Sequence, residues 1–291
     1  MSNFINLLIA GLATGAIYAI IAIGFTLLWQ TSQTINFAQG EFVMVPAFFI
    51  LAVLNLGVPF WLAILAGFTI SGVVLGVLFK KALVDPMLRH GVLPLAIASM
   101  ALSIAMKESV KEFYSAEAQP FPSIIPAGSI DIFGVAVSLQ SVGVLVAAVA
   151  GVVVLNLLLN GTSLGHQMQA TAQNPSVARI IGIPVERMIM LTFLINAALV
   201  TFAALLVTPI YLAKFSSGEV LGLSAFIAAI VGGFNQVRGA IVGGLLLGVV
   251  DNLAAAYVST QYRGAFPLLL LIVIILFRPE GLVGRTEERK V

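Results

Sequence analysis

Nine apolar runs, separated by short polar interruptions, set the pattern of the chain. They cover residues 4–29, 42–56, 60–84, 92–113, 137–159, 188–212, 221–234, 240–258 and 265–277. A helix needs about 20 apolar residues to cross a bilayer, and most of the runs reach that length alone or with a flanking turn. Runs 42–56, 221–234 and 265–277 are short. None shows the period-two alternation of barrel strands. Lipid offers the backbone no hydrogen-bond partner, so each run is predicted to be helical. The run at 4–29 has no basic stretch before it and exceeds the roughly 7–15 apolar residues of a cleaved leader. It is predicted to be the first spanning helix.

Two interruptions stand beside the short runs. "TINFAQGEFVM" (residues 34–44) places Asn36, Gln39 and Glu41 within six positions, and "GGFNQVRG" (232–239) carries Asn235 and Arg238. Transporters place solutes where membrane helices are broken near the midplane. A broken helix exposes backbone groups that only protein or water can satisfy. Both breaks are therefore predicted to face a polar path near Asn36, Gln39 and Asn235, with Glu41 supporting the first. A local reading stands beside this one. Asn36 and Gln39 can cap a helix end, and Glu41 can sit in a first helical turn, where the helix dipole favours a carboxylate. Arg238 reads as an anchor at the membrane surface.

Composition identifies the solvent. The 291 residues are 60% hydrophobic and 9% charged, with a mean hydropathy of +1.11. Soluble domains carry about 25% charged residues, so the chain is read as an integral membrane protein. It has no cysteine, which excludes disulfides, thiolate metal sites and a cysteine nucleophile. His90 and His166 lack metal-ligand spacing. Basic residues cluster at Lys80, Lys81, Arg89 and His90, then at His166, Arg179 and Arg187, then at Arg278, Arg285, Arg289 and Lys290. The positive-inside rule places all three groups and the C-terminal tail (278–291) in the cytoplasm. Nine crossings then put the N-terminus outside, and eight result if one short run is re-entrant. The Pro-rich connection 115–135, without Lys or Arg, falls outside. Glu108 and Lys111, at i,i+3, fit an exposed helix end.

Glycine pairs four apart, at Gly11/Gly15, Gly72/Gly76, Gly239/Gly243 and Gly244/Gly248, give helix faces that another backbone can approach closely. Asp251 and Asn252 interrupt the last of these faces. The longest polar connection on the cytoplasmic side, 160–188, reads as two short helices. Residues 164–172 form one. Pro175 starts the second, with Asn174 as N-cap, and Gly182 and Pro184 end it. Val177, Ile180 and Ile181 lie at i, i+3 and i+4, an apolar stripe. It packs either on the chain's own helix ends or on a partner protein.

Four blocks resemble one family. "GLATGAIYAIIAIGFTLLWQTSQTINFAQGEFVM", "AQNPSVARIIGI" followed by "ERM", "AAIVGGFNQVRGAIVGGLLLGVVDNLAAAYVS" and "FRPEGLVGR" occur in that order. They resemble the permease subunit of branched-chain amino-acid ABC importers, the LivH type. The resemblance implies an all-α, polytopic membrane helical bundle of about eight to nine spans, acting as one permease domain over residues 1–291. It implies a location in the bacterial inner membrane, with lipid around the chain and no nucleic acid. It implies a homologous second permease subunit, two cytoplasmic ATPase subunits and a periplasmic substrate-binding protein. ATP and Mg would sit on the ATPase, and this chain would hold no cofactor and no catalytic residue. The absence of a G-x-x-x-x-G-K-[ST] loop agrees with that. Coupling to the ATPase would fall on the 160–188 elbow, at Gln169, Asn174, Pro175, Arg179 and Gly182. The solute would be a branched-chain or other amino acid.

The chain departs from the family pattern at Gln39, where His is usual, and at Trp29 and Gln30, where Tyr-Gly is common. Relatives of this architecture are also associated with urea, short amides and other small organic solutes, so these remain substrate alternatives. A stand-alone secondary transporter or channel is the rival class. It commonly uses intramembrane ionisable groups, here chiefly Glu41 and Asp251. No Ser/His or paired-carboxylate arrangement supports an intramembrane enzyme.

Overall fold

The computed structural model describes residues 2–132 and 135–284. Arg285, Arg289 and Lys290, assigned above to the tail, lie outside the described residues. Eleven helices occur among the described residues: α1 (Ser2–Ser32), α2 (Gln39–Leu54), α3 (Phe60–Leu88), α4 (Val92–Phe113), α5 (Leu139–Gly161), α6 (Ser163–Gln173), α7 (Pro175–Ile180), α8 (Val185–Tyr211), α9 (Ser217–Gly232), α10 (Val237–Tyr257) and α11 (Ala265–Phe277). Each apolar run lies on one of nine of these. Six of the nine are long and apolar enough to cross a membrane, and α2, α9 and α11 are shorter. The chain is an integral membrane protein with a helical bundle fold.

One feature of the fold departs from an all-helical reading. Strands β1 (Ser129–Ile132) and β2 (Val135–Ser138) pair antiparallel, with Ser129 opposite Ser138 and Ile132 opposite Val135. The alternation of Ile130, Ile132, Val135 and Val137 was the period-two signal for it. Helix α3 also runs past the apolar run to Leu88, with π-helical turns at Gly72–Leu78 and Lys80–Val84. Pro86 follows those turns and cannot donate a helical hydrogen bond.

The chain divides into two compact units, with three divisions inside α1, α5 and α9 and a fourth in the connection before β1. The first unit comprises Met1–Thr26, Ile125–Ala150 and Leu223–Val291. Its centre is the crossing of α1 with α10, which run in opposite directions. A Cβ on Gly15 would meet the Gly244 carbonyl and the Leu245 backbone at 2.7–2.8 Å, and one on Gly244 would meet the Ala19 backbone. Gly248 lies in the same way against Gly15 and Gly11. These pairs therefore work inside the chain, as close backbone contacts between neighbouring helices. Phe226 joins the packing through Phe25, 5.4 Å between ring centroids, and Phe234, 5.8 Å.

The second unit comprises Leu27–Ile124 and Gly151–Gly222. Helix α8 is its spine, with α2, α3 and the short α6 packed on it. Phe79 fixes the α2–α3–α8 junction, 4.8 Å from Phe42 and 5.9 Å from Phe193 between centroids. Gly76 lets α3 approach α8 at Leu194. Asn55 donates to the Tyr114 hydroxyl at 2.9 Å, which ties the end of α2 to the end of α4.

Candidate functional site

The first helix break lies in the second unit. Helix α1 ends at Ser32, and Gln33 adopts φ +52°, a left-handed conformation that stops helices. Helix α2 begins at Gln39. Side chains satisfy part of the backbone at this junction. Phe37 N–H donates to the Ser99 hydroxyl at 3.2 Å, and Ala38 N–H donates to Asn36 Oδ1 at 3.0 Å. Gln39 N–H donates to the Asn36 carbonyl at 3.2 Å. Asn36 thus closes the turn that leads into α2, through both its side chain and its carbonyl.

Gln39 is fully buried and reaches the middle of α8. Its Nε2 donates to Asn196 Oδ1 at 2.7 Å, and Asn196 Nδ2 donates back to Gln39 Oε1 at 3.0 Å. Asn36 Nδ2 adds a third bond to Gln39 Oε1 at 3.3 Å. Gln39 and Asn196 both have 0% exposure. A buried amide left without partners costs about 1–3 kcal/mol, so reciprocal pairing is what makes these two tolerable in an apolar setting. Asn196 escaped the sequence reading. The signal available was a single amide inside the apolar run 188–212.

Glu41 sits in the first turn of α2, where the dipole favours it. It is buried, with Ser103 of α4 beside its carboxylate. Ser99, Ser103 and Lys107 are spaced four apart on α4 and form one seam along that helix. Ser99 meets Phe37, Ser103 meets Glu41, and Lys107 pairs with Glu219 of α9 at 2.9 Å. The start of α9 lies directly against the start of α2. A Cβ on Gly40 would collide with the Gly218 carbonyl, and one on Gly222 would lie 2.7 Å from the Gly40 Cα. Gly218 and Gly222 are four apart, another small-residue pair, which the sequence reading passed over because it lies at the edge of an apolar run.

The second break, in the first unit, is held differently. Gly233 has φ +112° and accepts no side chain there. The C-terminal block "RPEGLVG" folds back on it. Leu282 N–H donates to the Val231 carbonyl at 2.9 Å and Val283 N–H to the Gly232 carbonyl at 3.0 Å. These satisfy carbonyls that a helix end leaves open. Asn235 and Arg238 are exposed. Also in this unit, Asp251 is buried on α10, and Arg263 Nε and Nη2 grip its carboxylate at 2.8 and 2.7 Å. Tyr18 donates to the same carboxylate at 3.3 Å.

The elbow at 160–188 forms as its sequence predicts, though α7 ends at Ile180. Thr162 caps α6, its hydroxyl accepting from Gly165 N–H at 3.0 Å. Asn174 Oδ1 caps α7, accepting from Ser176 and Val177 N–H at 3.1 Å each. Pro175 occupies the first turn, and Gly182 turns the chain at φ +84°. Gln169 Nε2 donates to the Leu159 carbonyl at 2.7 Å and to Asn160 Oδ1 at 2.9 Å, which holds α6 against the end of α5. Arg179 pairs with Glu186 of α8 at 3.1 Å, and Glu186 lies 3.8 Å from Lys80 of α3. Lys80 is itself buried and held by Asp85 at 2.8 Å. The apolar stripe does not pack on the chain's own helix ends. Ile180 is 84% exposed and Ile181 66%, while the small Ala178 is the buried residue of α7. Beside it, Leu164, Gln167, Pro184, Arg187 and Met188 line a shallow groove between α6 and α8.

Comparison with known proteins supplies a family. The family model described as "Branched-chain amino acid transport system / permease component" matches residues 7–275. The high-affinity branched-chain amino acid transport system permease protein BraD of Pseudomonas aeruginosa is 33% identical, over 99% of this chain and 98% of its own length. The LivH permease protein of Salmonella typhimurium is 30% identical over the same shares of the two chains. A probable branched-chain amino acid transport permease protein LivH of Methanocaldococcus jannaschii is 27% identical, over 91% of this chain and 88% of that one. No solved structure matches the chain.

Proposed function

Because the chain belongs to the branched-chain amino acid transport permease family, and is thus a transport component and not an enzyme, we propose that it forms half of the translocation path of an ATP-driven importer. The solute is a branched-chain or other amino acid, as the names of its relatives suggest. The two compact units act as one permease domain in a bacterial inner membrane. A homologous permease subunit supplies the other half, a periplasmic binding protein delivers solute from outside, and two cytoplasmic ATPase subunits hold ATP and Mg. The elbow and the C-terminal tail face the cytoplasm in this reading.

The exposure of Ile180 and Ile181 on a firmly capped elbow carries the proposal. Two large aliphatic side chains on a polar connection expose apolar surface that a docked partner would remove from water. The elbow is also rigid where transmission requires it. Asn174 and Pro175 fix the start of α7, Gly182 turns the chain, and Arg179 ties α7 to the first turn of α8. A push on α7 is therefore delivered to α8 and, through Glu186 and Lys80, to α3.

The rival class needs an ionisable group free to cycle inside the membrane. Asp251 is engaged by a two-point guanidinium contact and a tyrosine hydroxyl, an arrangement suited to holding helices together. Glu41 sits in the first turn of α2, a position the helix dipole favours for a carboxylate. The test is co-expression with the partner ATPase. Complexes should copurify through the elbow, and Ile180→Glu should abolish copurification while leaving membrane insertion unchanged. Undiminished association of that variant contradicts the docking surface.

A further inference from the structure

We propose that the Gln39–Asn196 amide pair is the gate contact of the solute path, parted by motion of α8. It selects solutes that carry both hydrogen-bond donors and acceptors, such as zwitterions and small amides. This deepens the permease reading above and rests on it.

Each side-chain amide has two N–H donors and two oxygen lone pairs. Gln39 Oε1 receives both Asn196 and Asn36, and one N–H from each of Gln39 and Asn196 is spent on the other. Both amides are fully buried. Parting the pair in an apolar setting is costly unless an incoming group replaces its bonds. A carboxylate, an ammonium or an amide does so, and a hydrocarbon does not. The contact thus opens for the right solute and closes on itself afterwards.

Placement supplies the second part. Asn196 lies near the middle of the 27-residue α8, about 16 Å along the axis from its first residue at 1.5 Å per residue. That first turn carries Glu186, which Arg179 of the elbow grips. A tilt of α8 imposed at the elbow moves Asn196 as part of one rigid helix. Gln39 is the first residue of α2 and follows the non-helical segment 33–38, so α2 has a joint at the point where it would part from Asn196.

This chain has no native cysteine, so with cysteine-free partner subunits the introduced pair supplies the only thiols. Gln39→Cys and Asn196→Cys are introduced together into the assembled complex in vesicles with the binding protein, and ATP-dependent amino-acid uptake is measured. Oxidation should reduce uptake at least tenfold with subunit assembly unchanged, and reductant should restore it. Full cross-linking with unchanged uptake overturns the gate. The double variant Gln39→Leu with Asn196→Leu covers the case in which no disulfide forms. It should assemble normally and yet lose at least tenfold in uptake, and normal uptake in that variant overturns the proposal. Wild-type vesicles run alongside separate the two levels. If wild type shows no ATP-dependent uptake, the permease reading falls and the gate with it. If wild type transports and both variants transport equally, only the gate falls.

Discussion

Asn196 is the residue that most changes the picture of the first break. Gln39 was legible from sequence as a polar group in an apolar stretch, and its partner was not. The two are 157 positions apart, and no local pattern links them. Replacing one partner alone strands the other. Asn196→Leu should lower stability by about 1–3 kcal/mol, the cost of buried groups left unpaired, read as a lower unfolding midpoint in detergent. The double leucine variant should recover most of that loss, because replacing both partners with apolar groups is nearly neutral. Asp251 presents the charged version of the same problem. Arg263→Ala leaves a buried carboxylate without its cation and should cost about 3 kcal/mol, at the low end for breaking a buried pair because Arg263 is partly exposed. Arg263→Ala combined with Asp251→Asn should cost less, which a comparison of the two midpoints will show.

Elements were easier to read than their contacts. The nine apolar runs map onto nine helices because length and hydropathy alone decide what lipid accepts. The capped elbow was equally legible, because Asn174-Pro175 and Gly182 carry their conformations with them. Two features were not. The hairpin Ser129–Ser138 hides in a Pro-rich connection, where its alternation spans only four residues per strand. The meeting of α2 with α9 depends on Gly40, Gly218 and Gly222 coming together, and glycine in a membrane chain is too frequent to mark one contact. Gly40→Leu should force these helix starts apart, with a loss of about 1–3 kcal/mol from overpacking, measured by folded yield and unfolding midpoint. The C-terminal block was recognised by resemblance alone, and its physical role is to satisfy the Val231 and Gly232 carbonyls at the end of α9. Truncation after Arg278 should open that helix end, seen as faster amide hydrogen exchange across Gly233–Gln236.

At the scale of the whole molecule, composition fixed the solvent, and the order of four sequence blocks indicated the family. What the chain lacks is also informative in physical terms. It exposes Ile180 and Ile181 on the elbow, and it pairs buried Asp251 with Arg263 and buried Lys80 with Asp85. Both features fit a subunit that receives its energy from a partner. Solute identity is the least legible property, since the buried Gln39 and Asn196 amides lie 157 positions apart and no local sequence pattern links them.

The most direct test of the central claim is solute uptake in sealed vesicles. They would contain this chain, its permease partner and the ATPase subunits, with binding protein added on the outer face. The account predicts amino-acid uptake that requires ATP and stops when the ATPase is inactivated or when Ile180 is replaced by Glu. Uptake that persists without any ATPase, driven by an ion gradient, contradicts it.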